Sequence, residues 1–434
     1  MEAVKTGYLE QLLRGLPTPA SGSRGWLHAL RADALERANA LRVPTTRDED
    51  WRFTDLSPLY RTAFQRAGTA GIASAADVSV WTLPEAGSRL VFLDGHFVAA
   101  LSDIGSEAGL TVRPLGAAVA ESEALLPDHL GRHVDYRAEP FAAVNTAWLQ
   151  DGALIGVARD HAAAGPVHLL FVSTCPDVVS YPRVLVVAQP GSDCTLIEDF
   201  VCLHDGAYLT NAVAEVVVAA NSRVRHVRLQ REGKAAFHIS TCGVRVERDG
   251  HYQSVAVALG GRISRYSLNV SQAGEGAQCQ IDGLALIDGR QLADTHSFLD
   301  HARPDGSSRQ MHKCIVGGAA HAVFSGKILV RPGAQRTNSS QESRNLLLTD
   351  KAHVDTKPQL EIFADDVKCA HGAAIGQLDP EQVFYFKSRG LSESTARELL
   401  TFAFATEIVG RIPVPSLVKR LEETVVRQTG GRQS

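Results

Sequence analysis

The sequence predicts a mainly β protein in which a long β region lies between two helical parts. Three observations carry this. Between about residues 150 and 368, short alternating apolar–polar runs follow one another with almost no helical periodicity. Val244 and Val246 alternate with Arg245 and Glu247, and Tyr266, Leu268 and Val270 with Ser267 and Asn269. Turn signals separate the runs: Pro190-Gly191, Asn221-Ser222, Asp249-Gly250, Gly260-Gly261, Asp288-Gly289 and Pro332-Gly333. Apolar residues at a 3.6-residue period are confined to the flanks. Roughly 200 residues of strand without intervening helix imply a sandwich, a barrel or a solenoid. The turn spacing is irregular, and the one internal echo, Ser222-Arg223-Val224 against Gly261-Arg262-Ile263, is weak. Periodicity leaves sandwich and β-helix both open, because a degenerate solenoid hides its period.

In the N-terminal part, Trp26, Leu27, Leu30, Ala34, Ala38 and Leu41 fall near one helix face, with Ser23 placed to cap the start and Pro44 to end it. The stretch to about residue 65 reads as helical. Residues 67–76 read as a loop, Asp94-Gly95 as a tight hairpin turn, and about residues 115–148 as a second helical patch. At the other end, Asp379-Pro380-Glu381-Gln382 places a capping carboxylate before a first-turn proline, with Gln382 at the capping-box position. Gly390 is a natural helix stop. A helix over 392–409 carries Leu400, Phe404 and Ile408 at four-residue steps. Another begins near Pro415, with Val414, Leu417, Val418, Leu421 and Val425 in one stripe. The expected parts are residues 1–148, largely helical with a small β part, a β core at 149–375, and a helical domain at 376–434.

The 434 residues carry Lys+Arg 44 against Asp+Glu 48, a formal net charge of −4. Without a basic excess, nucleic acid is not an expected partner. Apolar runs broken by charges predict no membrane-spanning helix, and the opening Met1-Glu2-Ala3-Val4-Lys5 lacks the build of a signal or transit peptide, so a cytoplasmic location is expected. Cys175, Cys194, Cys202, Cys242, Cys279, Cys314 and Cys369 are scattered, which argues against a disulfide framework. No phosphate loop, dinucleotide fingerprint or nucleophile elbow occurs, so no nucleotide is expected on this chain.

Two constellations have metal-ligand chemistry. The first is Asp294-x-His296, His301, His312-x-Cys314 and His321; these residues fall on several runs and turns, so the histidines are expected to be structural. The second is Cys369-x-His371, a thiol and an imidazole on one side of an extended segment, suited to iron or an iron–sulfur unit if a second chain completes the ligand set. Asp365 and Asp366 are near enough in sequence to orient the imidazole.

The stretches 345–350, 356–362 and 364–372, with Phe384-Tyr385-Phe386-Lys387-Ser388-Arg389-Gly390 and Trp51-Arg52-Phe53-Thr54, closely resemble the SufB/SufD family. The segment His321-Ala322-Val323-Phe324-x-Gly326-Lys327-Ile328 adds to the match. The Cys-x-His-Gly signature resembles the SufD branch, since SufB-type chains carry an acidic residue after the histidine. Ala374 departs from the family, where threonine is common, with little expected consequence. The resemblance implies a right-handed parallel β-helix core flanked by helical parts, and a non-catalytic scaffold subunit of the SUF iron–sulfur assembly complex. It implies pairing with a SufB-type paralogue, with His371 and Cys369 at that interface near a nascent cluster or iron. It also implies docking of the ATPase SufC on the C-terminal helices, for which Phe384, Arg389, Phe402, Phe404 and Ile408 are the candidates; deleting 376–434 is then expected to leave the β core folded. Reduced flavin in the complex and self-pairing in isolation belong to the same set of expectations. The alternative from another class is a β-helix enzyme acting on polysaccharide, against which the absent acid–base cluster counts.

Overall fold

The computed structural model describes residues 7–16, 25–121 and 123–430. The expected cap Ser23 and the opening five residues lie outside these. The β region is a parallel β-solenoid. Strands alternate between two 11-stranded sheets, so each strand pairs in parallel with the strand one turn before and one turn after it. Sheet one runs from Ala153–Val157 to His353–Ile362, and sheet two from Ser88–Leu93 through Val167–Ser173 to Lys368–Gly376. In sheet two Asp193 aligns with Arg223, Arg223 with His251, His251 with Gln278, Gln278 with Ser307, and Ser307 with Asn338, so one turn takes between 27 and 31 residues. That variation hides the period. The echo between Arg223 and Arg262 is accidental: Arg223 opens a strand of sheet two, whereas Ile263 opens one of sheet one.

In-register parallel stacking places like positions above one another, about 4.8 Å apart. Phe92, Phe171 and Phe200 are register partners and stack inside the solenoid with ring centroids 4.9 and 4.8 Å apart. Val184, Val186, Val216, Val244, Leu268 and Ile328 fill the same interior. Strands buried on both faces lose the clean alternation of a half-exposed sheet.

Helices cover both outer faces. On sheet one lie α1 (Gly25–Ala40), which buries Leu27, Ala34 and Ala38, and α2 (Pro140–Trp148), every residue of which is buried. The Asn145 side chain of α2 donates to the carbonyls of Pro182 and Asn211, at 3.0 and 2.8 Å. The second helical patch is broken into Leu115–Ala120, Leu125–His129 and α2, with Gly131 at φ +76 turning the chain between them. Asp94 and Gly95 take positive φ at both central positions, as the tight hairpin requires.

On sheet two lie α4 (Glu393–Val409) and α5 (Pro415–Gly430), preceded in the chain by α3 (Pro380–Ser388). Asp379 caps α3 through the Glu381 N–H, one residue short of the capping-box position. Gly390, at φ +92, closes it: its N–H reaches the Lys387 carbonyl, and that of Leu391 the Phe386 carbonyl. Ser392 caps α4 through Thr395.

Ala405, Ile408, Val409, Leu417, Leu421 and Val425 form one buried cluster with Ile197, Val227, Leu229, Val255, Leu284 and Ile315 of sheet two. Two expectations are corrected here. Ile408 is a core residue with no exposed surface, so it cannot anchor a partner, and Phe402 and Phe404 are half-buried against the same cluster. Buried Lys313 ties Phe404 down further, donating to its carbonyl at 3.0 Å and lying 4.1 Å over its ring. Deleting 376–434 would strip this apolar face and cost the solenoid its stability.

Candidate functional site

The N-terminal end of sheet one is closed by Leu110–Pro114, which pairs antiparallel with Ala153–Val157. The last turn is open. Strands His353–Ile362 and Lys368–Gly376 end their sheets, and among the described residues no further strand pairs with either. Their outer edges present backbone N–H and C=O groups, a template for another chain. Ile362, Phe363 and Ile375 are 40%, 62% and 48% exposed around this turn.

Cys369 and His371 lie on this edge strand, in register with Ser339 and Gln341 of the preceding turn. Those two belong to inward-facing columns: Ser308 and Ser339 share a hydroxyl hydrogen bond at 2.7 Å, and the Gln341 amide donates to Gln310 at 2.8 Å. Cys369 continues the first column and packs partly buried against the solenoid interior. His371, two residues on, shares its face and is exposed because no turn follows to cover it. The sequence thus places a thiol and an imidazole side by side at the mouth of the interior. Burial pushes the Cys369 thiol up, partly offset by a backbone hydrogen bond from Ser339, so it stays protonated until an ion displaces the proton.

Asp365 and Asp366 are exposed, and the Asp366 backbone is tied to the preceding turn: its N–H donates to Gln335 at 2.9 Å and its carbonyl accepts from the Arg336 N–H at 2.6 Å. Among the described residues neither carboxylate is paired with His371, which corrects the orienting role considered for them.

The other histidines disperse. His296 pairs with Asp294 at 3.0 Å, and the same carboxylate is held by Arg265 and Thr54. His301 bonds Ser308 at 3.0 Å. His312 stacks on Phe324 and lies 3.5 Å from the Cys314 sulfur, but burial pushes this imidazole down to about 4 and this thiol up to about 12. His321 is the exception: it meets His353 and Asp355, neither of which the sequence grouped with it.

Of the docking candidates, Phe384 is 71% exposed on α3 and Arg389 is exposed at its C-terminal cap, its guanidinium 5.3 Å above the Tyr385 ring. Tyr385, 55% exposed on α3, and Leu399, 43% exposed on α4, are not among the candidates that the sequence offers. For Tyr385 the signal is the aromatic run Phe384-Tyr385-Phe386, whose first two rings α3 exposes. No helix of the described residues is long and apolar enough to cross a membrane.

Comparison with known proteins agrees with this geometry. The family model described as "SUF system FeS cluster assembly, SufBD core domain" matches residues 171–404, and that of the "SufBD protein N-terminal region" matches 15–169. An iron–sulfur cluster assembly SufBD family protein of Synechocystis is 38% identical over 92% of this chain and 90% of its own. The iron–sulfur cluster assembly protein SufD of Escherichia coli is 33% identical over 91% of this chain and 94% of its own. Protein ABCI7, chloroplastic, of Arabidopsis thaliana is 34% identical over 89% and 83%. With a continuous solenoid, an open last turn bearing the Cys-x-His-Gly signature, and matches along nearly its whole length, the chain is a SufD homologue and belongs to the SufBD family of iron–sulfur cluster assembly proteins.

Proposed function

We propose that this chain is a non-catalytic scaffold subunit that pairs through its open last turn with a SufB-type paralogue and holds a SufC-type ATPase on α3. The observation that carries the reading is the unclosed C-terminal end of the solenoid, with Cys369 and His371 facing its mouth. Two donors are too few for an iron–sulfur unit, so a partner must supply the rest, and an edge that extends a parallel sheet is the natural place for one. His371 donates a nitrogen ligand to the nascent cluster or its iron; Cys369, partly buried and protonated, contributes less. The exposed aromatic face of α3, with Phe384, Tyr385 and Arg389, supports the ATPase contact, because such side chains dominate interface energetics. The function is positional: the chain aligns ligands, and no step of covalent chemistry is assigned to it.

Co-expression with SufB-type and SufC-type neighbours tests the reading. A ternary complex should co-purify, and charge substitutions at Phe363 and Ile375 should release the SufB-type chain while SufC stays bound. Retention of the SufB-type chain by that variant would remove the open turn as the pairing surface.

A further inference from the structure

A second group of ligating side chains lies on the outer face of sheet one. His321 and His353 are register partners on its last two strands, and Asp355, two residues beyond His353, shares that face. His321 Nε2 lies 2.7 Å from Asp355 Oδ2, and His353 Nε2 lies 3.2 Å from the same oxygen. All three ligating atoms fall within 4.8 Å of one another, and the two imidazole rings are 4.9 Å apart at their centroids. His321 and Asp355 are half-buried, whereas the His353 side chain is 65% exposed and leaves the group open to solvent. The neighbouring cation on this face, Lys357, is occupied by Glu49 at 2.7 Å and does not compete for Asp355.

A carboxylate oxygen can accept from two donors, so two rings at Asp355 are not in themselves unusual. What sets the group apart is that two imidazole nitrogens and a carboxylate oxygen converge within ligating reach of one another, each able to turn a lone pair on one cation. We propose that His321, His353 and Asp355 bind one divalent first-row transition metal ion, with the remaining coordination positions open to water or an incoming ligand. Two imidazoles and one carboxylate suit iron(II) or zinc; calcium and magnesium call for all-oxygen shells and copper(I) for sulfur.

The site is separate from Cys369 and His371. Strand rise places His353 about 30 Å from the Ile362 end of its strand, the corner beyond which Cys369 and His371 follow. The proposal therefore does not rest on the scaffold reading.

The test uses the full-length chain, free of any histidine tag, titrated anaerobically with cobalt(II) as a visible-absorption probe and then challenged separately with iron(II) and zinc(II). One equivalent of cobalt should bind with d–d bands, and one of the two physiological ions should displace it. His353→Ala and Asp355→Asn should each weaken binding about tenfold or more, while His371→Ala leaves it unchanged. His353 is exposed, so its removal spares the fold, which far-UV circular dichroism verifies. Unaltered binding in His353→Ala and Asp355→Asn would overturn the proposal. So would the absence of stoichiometric binding, failure of both ions to displace cobalt, or loss confined to His371→Ala.

Discussion

Replacing Arg183 by alanine tests how the N-terminal helices are fastened to the solenoid. Arg183 and Glu215 are wholly buried and paired with each other. The guanidinium also donates to Asn145 and Thr146 of α2 at 3.2 and 3.0 Å, and the carboxylate accepts the N–H groups of Gly131 and His133 at 2.8 and 2.7 Å. Burial alone would push the Glu215 carboxyl up; Arg183 and the two N–H groups outweigh it and hold it below the usual carboxylate range. Removing one member of a buried pair costs about 3–5 kcal/mol. Because the two N–H groups remain, the expected loss is near the lower end, about 3 kcal/mol. The pH dependence has a definite sign. In the native protein the depressed carboxyl contributes stability that is present above its unfolded value, about 4.3, and is lost as pH falls through the lower folded value. In Arg183→Ala desolvation dominates, the folded value rises above the unfolded one, and the penalty disappears as Glu215 takes up a proton. The gap between variant and native protein should therefore be widest near neutrality and narrow towards about pH 4. Urea denaturation followed by circular dichroism across that range measures it. A gap under about 1 kcal/mol at neutral pH, or one that fails to narrow on acidification, would show that Arg183 is not what holds Glu215 ionised in the fold.

Phe384→Ala should weaken ATPase binding by about 2 kcal/mol, roughly thirtyfold, without lowering the melting temperature; calorimetric titration of SufC-type protein measures it, and unchanged affinity would move the docking surface elsewhere. Ile408→Ala should do the opposite, costing about 2–5 kcal/mol of stability through a cavity between α4 and sheet two, as a urea titration would read. Burial pushes both His301 and His312 down to about 4, so each is neutral in the fold and takes up a proton on unfolding. Stability should thus fall as pH drops from about 6.5 towards 4, and His312→Gln should flatten that slope in thermal melts at graded pH. Gly243→Ala should destabilise the chain, because a Cβ there would lie 1.9 Å from the His133 carbonyl oxygen; a native-like melting temperature would contradict that close approach.

Local signals were legible in the sequence, and those that depend on register were not. Asp94-Gly95, the Asp379 cap, the Gly390 stop and the stripe from Val414 to Val425 each act over a few residues and recur as expected. The solenoid emerged only through family resemblance, because turns of unequal length leave no visible repeat. Cys369-x-His371 could be read because both donors share one strand. His321, His353 and Asp355 could not, since they meet across one full turn. Ile408 misled for a physical reason: a stripe of apolar residues at helical spacing marks a buried face equally well as a binding face, and here sheet two covers it. The exposed aromatics of α3 carry no such period; the run marks them in the sequence, and the helix's position at the periphery shows that they face outward.

The proposed role of His371, to contribute a ligand at the open last turn to a cluster completed by a partner chain, is open to direct measurement. Iron and acid-labile sulfide should be measured in complexes co-purified anaerobically from cells carrying His371→Ala, with His353→Ala and the native chain alongside. The His371→Ala complex should still bring down both partners but hold little iron or sulfide, with Cys369→Ala affected less. Native levels of iron and sulfide in the His371→Ala complex would contradict it.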